Sequence, residues 1–463
     1  MRSAITRVTA GIVCLSPGVV VAAAPGVPSL SDTPAGYVAY AVDDLPQWFQ
    51  TPIIEGFDNT PADNPITDAG AELGRVLFYD QRLSHNDGTS CASCHSQSTG
   101  FTDTAELSEG FEGGLTGRHS MSLANARYYE PGRFFWDERA ATLEDQVLMP
   151  IQDAVEMGSD LDELVDELQA TDYYPVLFER AFGDSAVTSD RMAEAMAQFV
   201  RAMASYQSEY DQALAARTAP GPNADPNFAA VDTIENPALA TEGHALFAAD
   251  CANCHRTNAQ VTDKAHNIGL DETNTDAGAG AGRFKVPSLR NAAERGRYMH
   301  DGRFESLEEV VEHYSSGVAD NPNLSVGLTA GGFGYSADEQ AALVAFLETL
   351  SDEAFLTSTL FSDPFVTLPG DYNGDGVVDL DDYTAWGDAY GDSSEGLSGP
   401  LFADGNGDGV VDAADFTLWR DNLGRRWDDG LSLSATAAVP EPRALIMVTA
   451  LGAMLAASRW RRG

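Results

Sequence analysis

The chain has 463 residues, 43% of them hydrophobic, which is ordinary for a folded protein and enough for two or three domains. Its 71 acidic residues against 27 basic ones give a formal charge of -44, which opposes binding to nucleic acid or an anionic membrane and would steer in a basic protein partner. Adaptation to high salt or to calcium would leave the same composition.

The first seven residues, Met1-Arg2-Ser3-Ala4-Ile5-Thr6-Arg7, are basic and lead into an apolar run with the small-residue exit Ala22-Ala23-Ala24. This is the pattern of a secretion signal over residues 1–24, and Cys14 would leave with it. A lipid anchor on Cys14 is the alternative, but the apolar run continues beyond it.

Within a first predicted domain, residues 45–215, stands the run Cys91-Ala92-Ser93-Cys94-His95. Two thiols at this spacing can hold a porphyrin through thioether links while the adjacent histidine supplies an iron ligand. A redox dithiol or half of a zinc site would use the same pair, but the one other Cys-x-x-Cys lies 160 residues away, it too is followed by a histidine, and there is no further partner. Residues 188–210 read as a helix with Met192, Met196, Val200 and Met203 on one side, a stripe better suited to a core than to a haem ligand. Read in isolation, Glu156 is a solvated helix residue.

A loop rich in Pro, Ala and Asn, residues 218–236, leads into a second predicted domain, 216–366. There Cys251-Ala252-Asn253-Cys254-His255 repeats the attachment motif, so two covalently attached c-type haems are expected. Such attachment is completed outside the cytoplasm in bacteria, in keeping with export to the periplasm or cell surface. Ser306 with Glu309 and Ser336 with Glu339 form capping boxes that open two helices. Alternating strand patterns are almost missing, and both domains are expected to be helical.

From residue 369 to 425 the composition changes. Asp371, Asn373, Asp375, Asp379 and Asp382, with the carbonyl of Val377, place oxygen ligands at the spacing of a calcium loop. Asp404, Asn406, Asp408, Val410, Asp412 and Asp415 repeat it, with Gly376 and Gly409 at the sharp turns. An acidic unfolded linker is the competing reading. Residues 437–463 close the chain with Val439-Pro440-Glu441-Pro442, an apolar run of about 14 residues where a comfortable span needs roughly 20, and Arg459, Arg461 and Arg462.

Ordered blocks around the two haem motifs give residues 70–350 a close resemblance to the bacterial di-haem cytochrome c peroxidase and MauG family. They include Leu73-Gly74-Arg75-Val76-Leu77-Phe78, Phe134-Phe135-Trp136-Asp137-Glu138-Arg139, Leu143-Glu144-Asp145-Gln146, Glu156-Met157-Gly158 and Phe284-Lys285-Val286-Pro287-Ser288-Leu289-Arg290-Asn291. The resemblance implies a mainly α fold: two cytochrome c-like haem domains followed by a small paired calcium-loop helical module. It also implies a peroxidase that reduces hydrogen peroxide to water at the first haem, held by His95, with electrons from a small cytochrome c or similar donor entering at the second, held by His255.

On the same basis Glu156 is the acid–base group, Gln146 orients peroxide, and Trp136 lies between the haems. Lys285 and Arg290 are candidates for haem propionates. A calcium between the haem domains, near Gly117-Arg118-His119, and a homodimer are compatible with the family.

Two departures stand out. Many relatives carry a distal histidine on the peroxidatic haem; Phe111 stands in that place, and His119 is the candidate imidazole to replace it. At the sixth ligand of the second haem the usual methionine is replaced by Tyr314, as in MauG, with Met299 and His313 as less favoured ligands. A MauG-like oxidase of a protein or small molecule is therefore the rival enzyme, and an electron-transfer or calcium-dependent binding protein the non-enzymatic alternative. The calcium module resembles a type I dockerin, implying a cohesin-like or surface partner. The tail resembles a PEP-CTERM sorting signal, with a transient membrane anchor as the alternative.

Overall fold

A computed structural model describes residues 28, 39–41, 45–217, 225–262, 264–365, 369–372, 378–393, 403–406 and 409–425. The expected signal, the tail and the ligand positions Asn373, Asp375, Val377 and Asp408 lie outside the described residues. Among those described there are helices, turns and isolated bridges but no extended strand pairing, in line with the helical reading.

In the first domain a short α1 (Pro52–Glu55) precedes α2 (Asp68–Tyr79), and the attachment motif itself forms α3 (Cys91–Cys94). Then come α4 (Leu143–Gln152), α5 (Leu161–Gln169), α6 (Tyr174–Phe182) and α7 (Ser189–Ala202). Thr67 caps α2 by accepting from the Gly70 amide at 3.0 Å, and the Oε1 of Gln198 from α7 accepts from the Thr67 amide at 2.9 Å. That pins one end of α2 to α7.

The two helices cross at Gly74, where a Cβ would stand 2.0 Å from the Ala195 carbonyl oxygen, so the crossing closes only around a residue without a side chain. Met192, Met196 and Val200 are buried along α7 and Met203 just past its end, which bears out their reading as core, although the helix stops at Ala202 and does not run to 210; Met196 and Val200 also wall the cavity beside Cys91.

The second domain repeats the device. After α8 (Glu209–Ala215), α9 (Pro237–Leu246) crosses α11 (Ala337–Glu348), with α10 (Leu307–Glu312) between them in the chain. At this crossing a Cβ on Gly243 would stand 1.8 Å from the Ala342 carbonyl oxygen. Ser336 and Glu339 make the full capping box; Ser306 caps α10 through the Glu309 amide, but the Glu309 carboxylate turns instead to the amide of Glu305.

Both α9 and α10 run on into a π-helical turn, Phe247–Cys251 and His313–Gly317. Such widened turns are frequent at functional sites. One delivers Cys251 and the other Tyr314.

The packing departs from the expected bounds 45–215 and 216–366 in two places. Tyr210, Ala213 and Leu214 of α8 pack into the second core, so the chain has changed domains before residue 215. After α11, α12 (Glu353–Leu356) leads a segment whose Phe355, Leu356 and Phe361 return to pack on Phe78, Phe101 and Phe199 of the first domain. Apolar burial rather than chain order decides both.

In the C-terminal module α13 (Leu380–Ala389) and α14 (Ala413–Asn422) are capped alike by Asp379 with Asp382 and by Asp412 with Asp415. The repeats bind each other reciprocally: Trp386 donates to the Asp412 carbonyl at 2.9 Å and Trp419 to the Asp379 carbonyl at 2.6 Å. Asp382 and Asp415 are fully buried and accept from backbone amides.

Replacing Gly74 or Gly243 by Ala is expected to force its crossing apart at a cost of about 1–3 kcal/mol, typical of an overpacked core. Thermal unfolding of the full chain should show each variant melting several degrees lower; unchanged melting would mean the crossings yield without strain.

Candidate active site

Cys91, Cys94 and His95 open onto a cavity of about 430 Å³ in the first domain. The His95 Nδ1 lies 3.0 Å from the Phe101 carbonyl, which fixes that nitrogen as the donor and leaves Nε2 for a ligand. None of the four motif cysteines is in a disulfide, and burial pushes the Cys91 thiol up to about 12 and Cys94 to about 11.

Gln146, on the first turns of α4, and Glu156, just after that helix, line the same cavity. Glu156 is therefore not a solvated helix residue. Asp153 ends α4 and its Oδ1 accepts from the amides of Val155 and Glu156 at 2.8 and 3.2 Å, a turn that aims the glutamate inward. Burial, reinforced by Asp153, raises the Glu156 pKa above the usual glutamate range, with Arg139 opposing.

The loop carrying Phe111 lies flat on this turn: the Phe111 amide donates to the Glu156 carbonyl at 3.0 Å. A Cβ on Gly110 would stand 1.7 Å from the Val155 carbonyl oxygen, and Gly158, at φ +68°, makes room for the Phe111 ring. Phe111 is not among the residues lining the cavity. His119 does line it, yet both its ring nitrogens are engaged: Nε2 with the Thr102 hydroxyl at 3.1 Å, Nδ1 with the carbonyls of Ala105 and Glu106 at 3.1 and 3.2 Å.

A second cavity, of about 170 Å³, is lined by Cys251, Cys254, His255 and Tyr314. Burial lowers the His255 pKa to about 4 and raises that of the Tyr314 phenol. Met299 lines this cavity as well, whereas His313 does not and points its Nε2 at the Ile268 carbonyl, 3.0 Å away. His266 also faces the cavity, its Nδ1 3.5 Å from the Cys254 sulfur.

Trp136 lines both cavities. Its indole donates to the His119 carbonyl at 2.7 Å, while its own carbonyl accepts from the Lys285 amide of the second domain at 2.8 Å. Nearby, Arg118 bridges Asp137 of the first domain at 2.7 Å and Asp276 of the second at 2.8 Å. No group of three or more His, Cys, Asp or Glu side chains arranged to hold a metal occurs among the described residues, and those two carboxylates near the expected inter-domain calcium serve Arg118.

Two helical domains, each with a Cys-x-x-Cys-His turn at a cavity and one indole between the cavities, define the class of two-centre c-type redox proteins. A family model described as di-haem cytochrome c peroxidase matches residues 68–219, a cytochrome c model residues 240–351, and a dockerin type I model residues 369–424. The chain is 33% identical over 306 residues to the methylamine utilization protein MauG of Methylophilus methylotrophus, covering 64% of this chain and 86% of that one. It is 30% identical over 354 residues to a cytochrome-c peroxidase of Denitromonas iodatirespirans, covering 67% and 88%.

A solved MauG-like protein associated with microbial copper homeostasis superposes with a TM-score of 0.57 at 31% identity, over 70% of this chain and 99% of that one. The chain belongs to the di-haem cytochrome c peroxidase and MauG family, fused to a C-terminal dockerin-like module, and its activity is that of a peroxide-reducing oxidoreductase of this type.

The hydrogen bond to Arg118 holds the Asp276 carboxyl down at about 2, below the ordinary carboxylate value near 4. A depressed carboxyl adds stability that is complete above its unfolded value and is lost as pH falls through the folded one. The melting temperature should therefore drop more between pH 4 and about pH 2 in the wild type than in Arg118→Met; parallel pH profiles would deny the bridge a role.

Proposed function

We propose that the enzyme reduces hydrogen peroxide to water in the first cavity with electrons that enter through the second from a small, basic redox protein such as cytochrome c. The observation that carries this reading is the convergence of Glu156 and Gln146 on the cavity of Cys91, Cys94 and His95, with neither Phe111 nor a free imidazole competing for it. Covalent attachment falls to Cys91 and Cys94 in one domain and Cys251 and Cys254 in the other, with His95 and His255 as iron ligands and Tyr314 as sixth ligand of the second iron. The thiols and imidazoles fit that group: each set lines a cavity, the sulfurs are unbridged, and His95 presents Nε2. Bound haem supplies the centre at which the electron pair reaches peroxide.

Glu156 takes the proton from one peroxide oxygen and delivers it to the other as the O–O bond breaks; two electrons and two protons convert each peroxide to two waters. Gln146 orients the peroxide by hydrogen bonding, and Trp136 shortens the electron path between cavities. Tyr314 at the second cavity supports a second reading, MauG-like oxidation of a protein or small molecule, because an oxygen donor favours higher iron oxidation states than a thioether would.

Calcium in the dockerin-like module is proposed at Asp371, Asn373, Asp375, Val377, Asp379 and Asp382 and at Asp404, Asn406, Asp408, Val410, Asp412 and Asp415. The module would bind a cohesin-like or surface partner. Export to the periplasm or cell surface, with a PEP-CTERM-like tail, completes the reading; no helix among the described residues is long and apolar enough to cross a membrane.

Peroxide-dependent oxidation of reduced cytochrome c by the full, haem-loaded chain should fall about 100-fold or more in Glu156→Gln. The wild-type rate should also decline as pH drops through a point above the ordinary glutamate range, a limb missing in the variant. Turnover that survives the substitution would overturn the role of Glu156; no wild-type turnover with cytochrome c, together with oxidation of a partner protein, would move the assignment to the second reading. Hydrogen exchange on the full chain should find α13 and α14 more protected with calcium than after chelation, and equal protection would remove calcium from the module.

A further inference from the structure

Lys285 belongs to the second domain and lines both cavities, but its ammonium reaches into the first domain. Its Nζ stands 4.0 Å from the centroid of the Phe134 ring and 4.3 Å from that of Tyr129, and both rings line the first cavity and not the second. The residue is only 5% exposed. Among the described residues its side chain makes one long hydrogen bond, 3.4 Å to the Arg133 carbonyl, and no ion pair within 4 Å. Glu138 is the acidic group that acts on it, from a carboxylate already accepting from the Tyr129 hydroxyl. Burial draws the amine down to about 7.

A buried ammonium with aromatic faces and a single distant carbonyl for company is under-satisfied, and proteins keep such a charge where an anion completes it. The other cationic side chains at this cavity are already matched with acids: Arg118 with Asp137 and Asp276, Arg139 with Asp137. Arg290, the other candidate for a haem carboxylate, is fully buried against Asp211, Gln260 and the Asn258 carbonyl and lines neither cavity.

We propose that Lys285 is the anion-binding group of the first cavity, holding a carboxylate of the haem there, so that the second domain sets the electron affinity of the first site. The assignment rests on the reading of two covalently attached haems. The hydrogen bond from the Lys285 amide to the Trp136 carbonyl fixes where the side chain enters, so the indole wall and the cation are placed by one segment. Lys285 is a positioning and tuning residue; it handles neither the peroxide proton nor the iron.

A fixed positive charge favours the reduced form of a nearby redox centre. Spectroelectrochemical titration of the holoprotein should therefore find the midpoint potential of the first haem lowered in Lys285→Met and in Lys285→Gln, nearly restored in Lys285→Arg, and that of the second haem moved less. Haem content is measured alongside, and the two neutral variants of different shape guard against one that fails to fold. Two haems per chain with an unmoved first potential in a neutral variant would overturn the assignment alone, as would an arginine variant shifted as far as the neutral ones. A wild-type chain without haem on Cys91 and Cys94 would overturn the two-haem reading and this assignment with it.

Discussion

Trp136 is anchored from both sides: its indole donates to the His119 carbonyl and its carbonyl accepts from the Lys285 amide. This double anchorage makes one wall serve two cavities. It joins the domains where the chemistry needs them joined, with Arg118 between Asp137 and Asp276 as a second tie across the same seam. Without the shared wall the chain would be two separate helical domains, each able to hold a prosthetic group but with no common partition for electrons to cross. Peroxide reduction needs two electrons in one place, so the link between sites matters as much as either site.

The domains reach that seam by the same construction. In each, two helices cross at a glycine that faces the carbonyl of an alanine, Gly74 on Ala195 and Gly243 on Ala342, and the attachment motif follows the first of the pair. The close crossing leaves the space beside the motif to the cavity. What differs is how each cavity is finished. In the first, the end of α4 and the loop of Gly110 and Phe111 lock Glu156 into a turn that faces inward. In the second, π-helical turns bring Cys251 and Tyr314 to the cavity, and the carboxylate that lines it, Asp250, accepts from the Tyr335 hydroxyl at 2.9 Å. The asymmetry is in keeping with the proposed division of labour, peroxide chemistry in the first domain and electron entry in the second.

Much of this was legible in the sequence because the chemistry there is local. A Cys-x-x-Cys-His run carries its own geometry, and the methionine stripe of α7 follows from helical period alone. Glu156 was different: nothing in its local pattern separates a cavity carboxylate from a solvated one, and only its resemblance to a family motif drew notice. Its inward aim depends on Asp153 and on a loop some 45 residues earlier in the chain, contacts no periodicity reports. The return of Phe355 and Phe361 to the first domain, the engagement of both His119 nitrogens and the isolation of the Lys285 ammonium are likewise tertiary facts. Lys285 and Arg290 are equivalent in the sequence as candidates for haem propionates, and only their surroundings distinguish a cation that has its acid from one that lacks it.

The central claim is that the two sites work as one unit across the Trp136 wall. A single-turnover experiment tests it most directly: the full chain is prepared with only the second haem reduced, mixed rapidly with peroxide, and the absorbance of that haem is followed beside peroxide loss. The second haem should be oxidised in step with peroxide consumption. Peroxide consumed while the second haem stays reduced would contradict it.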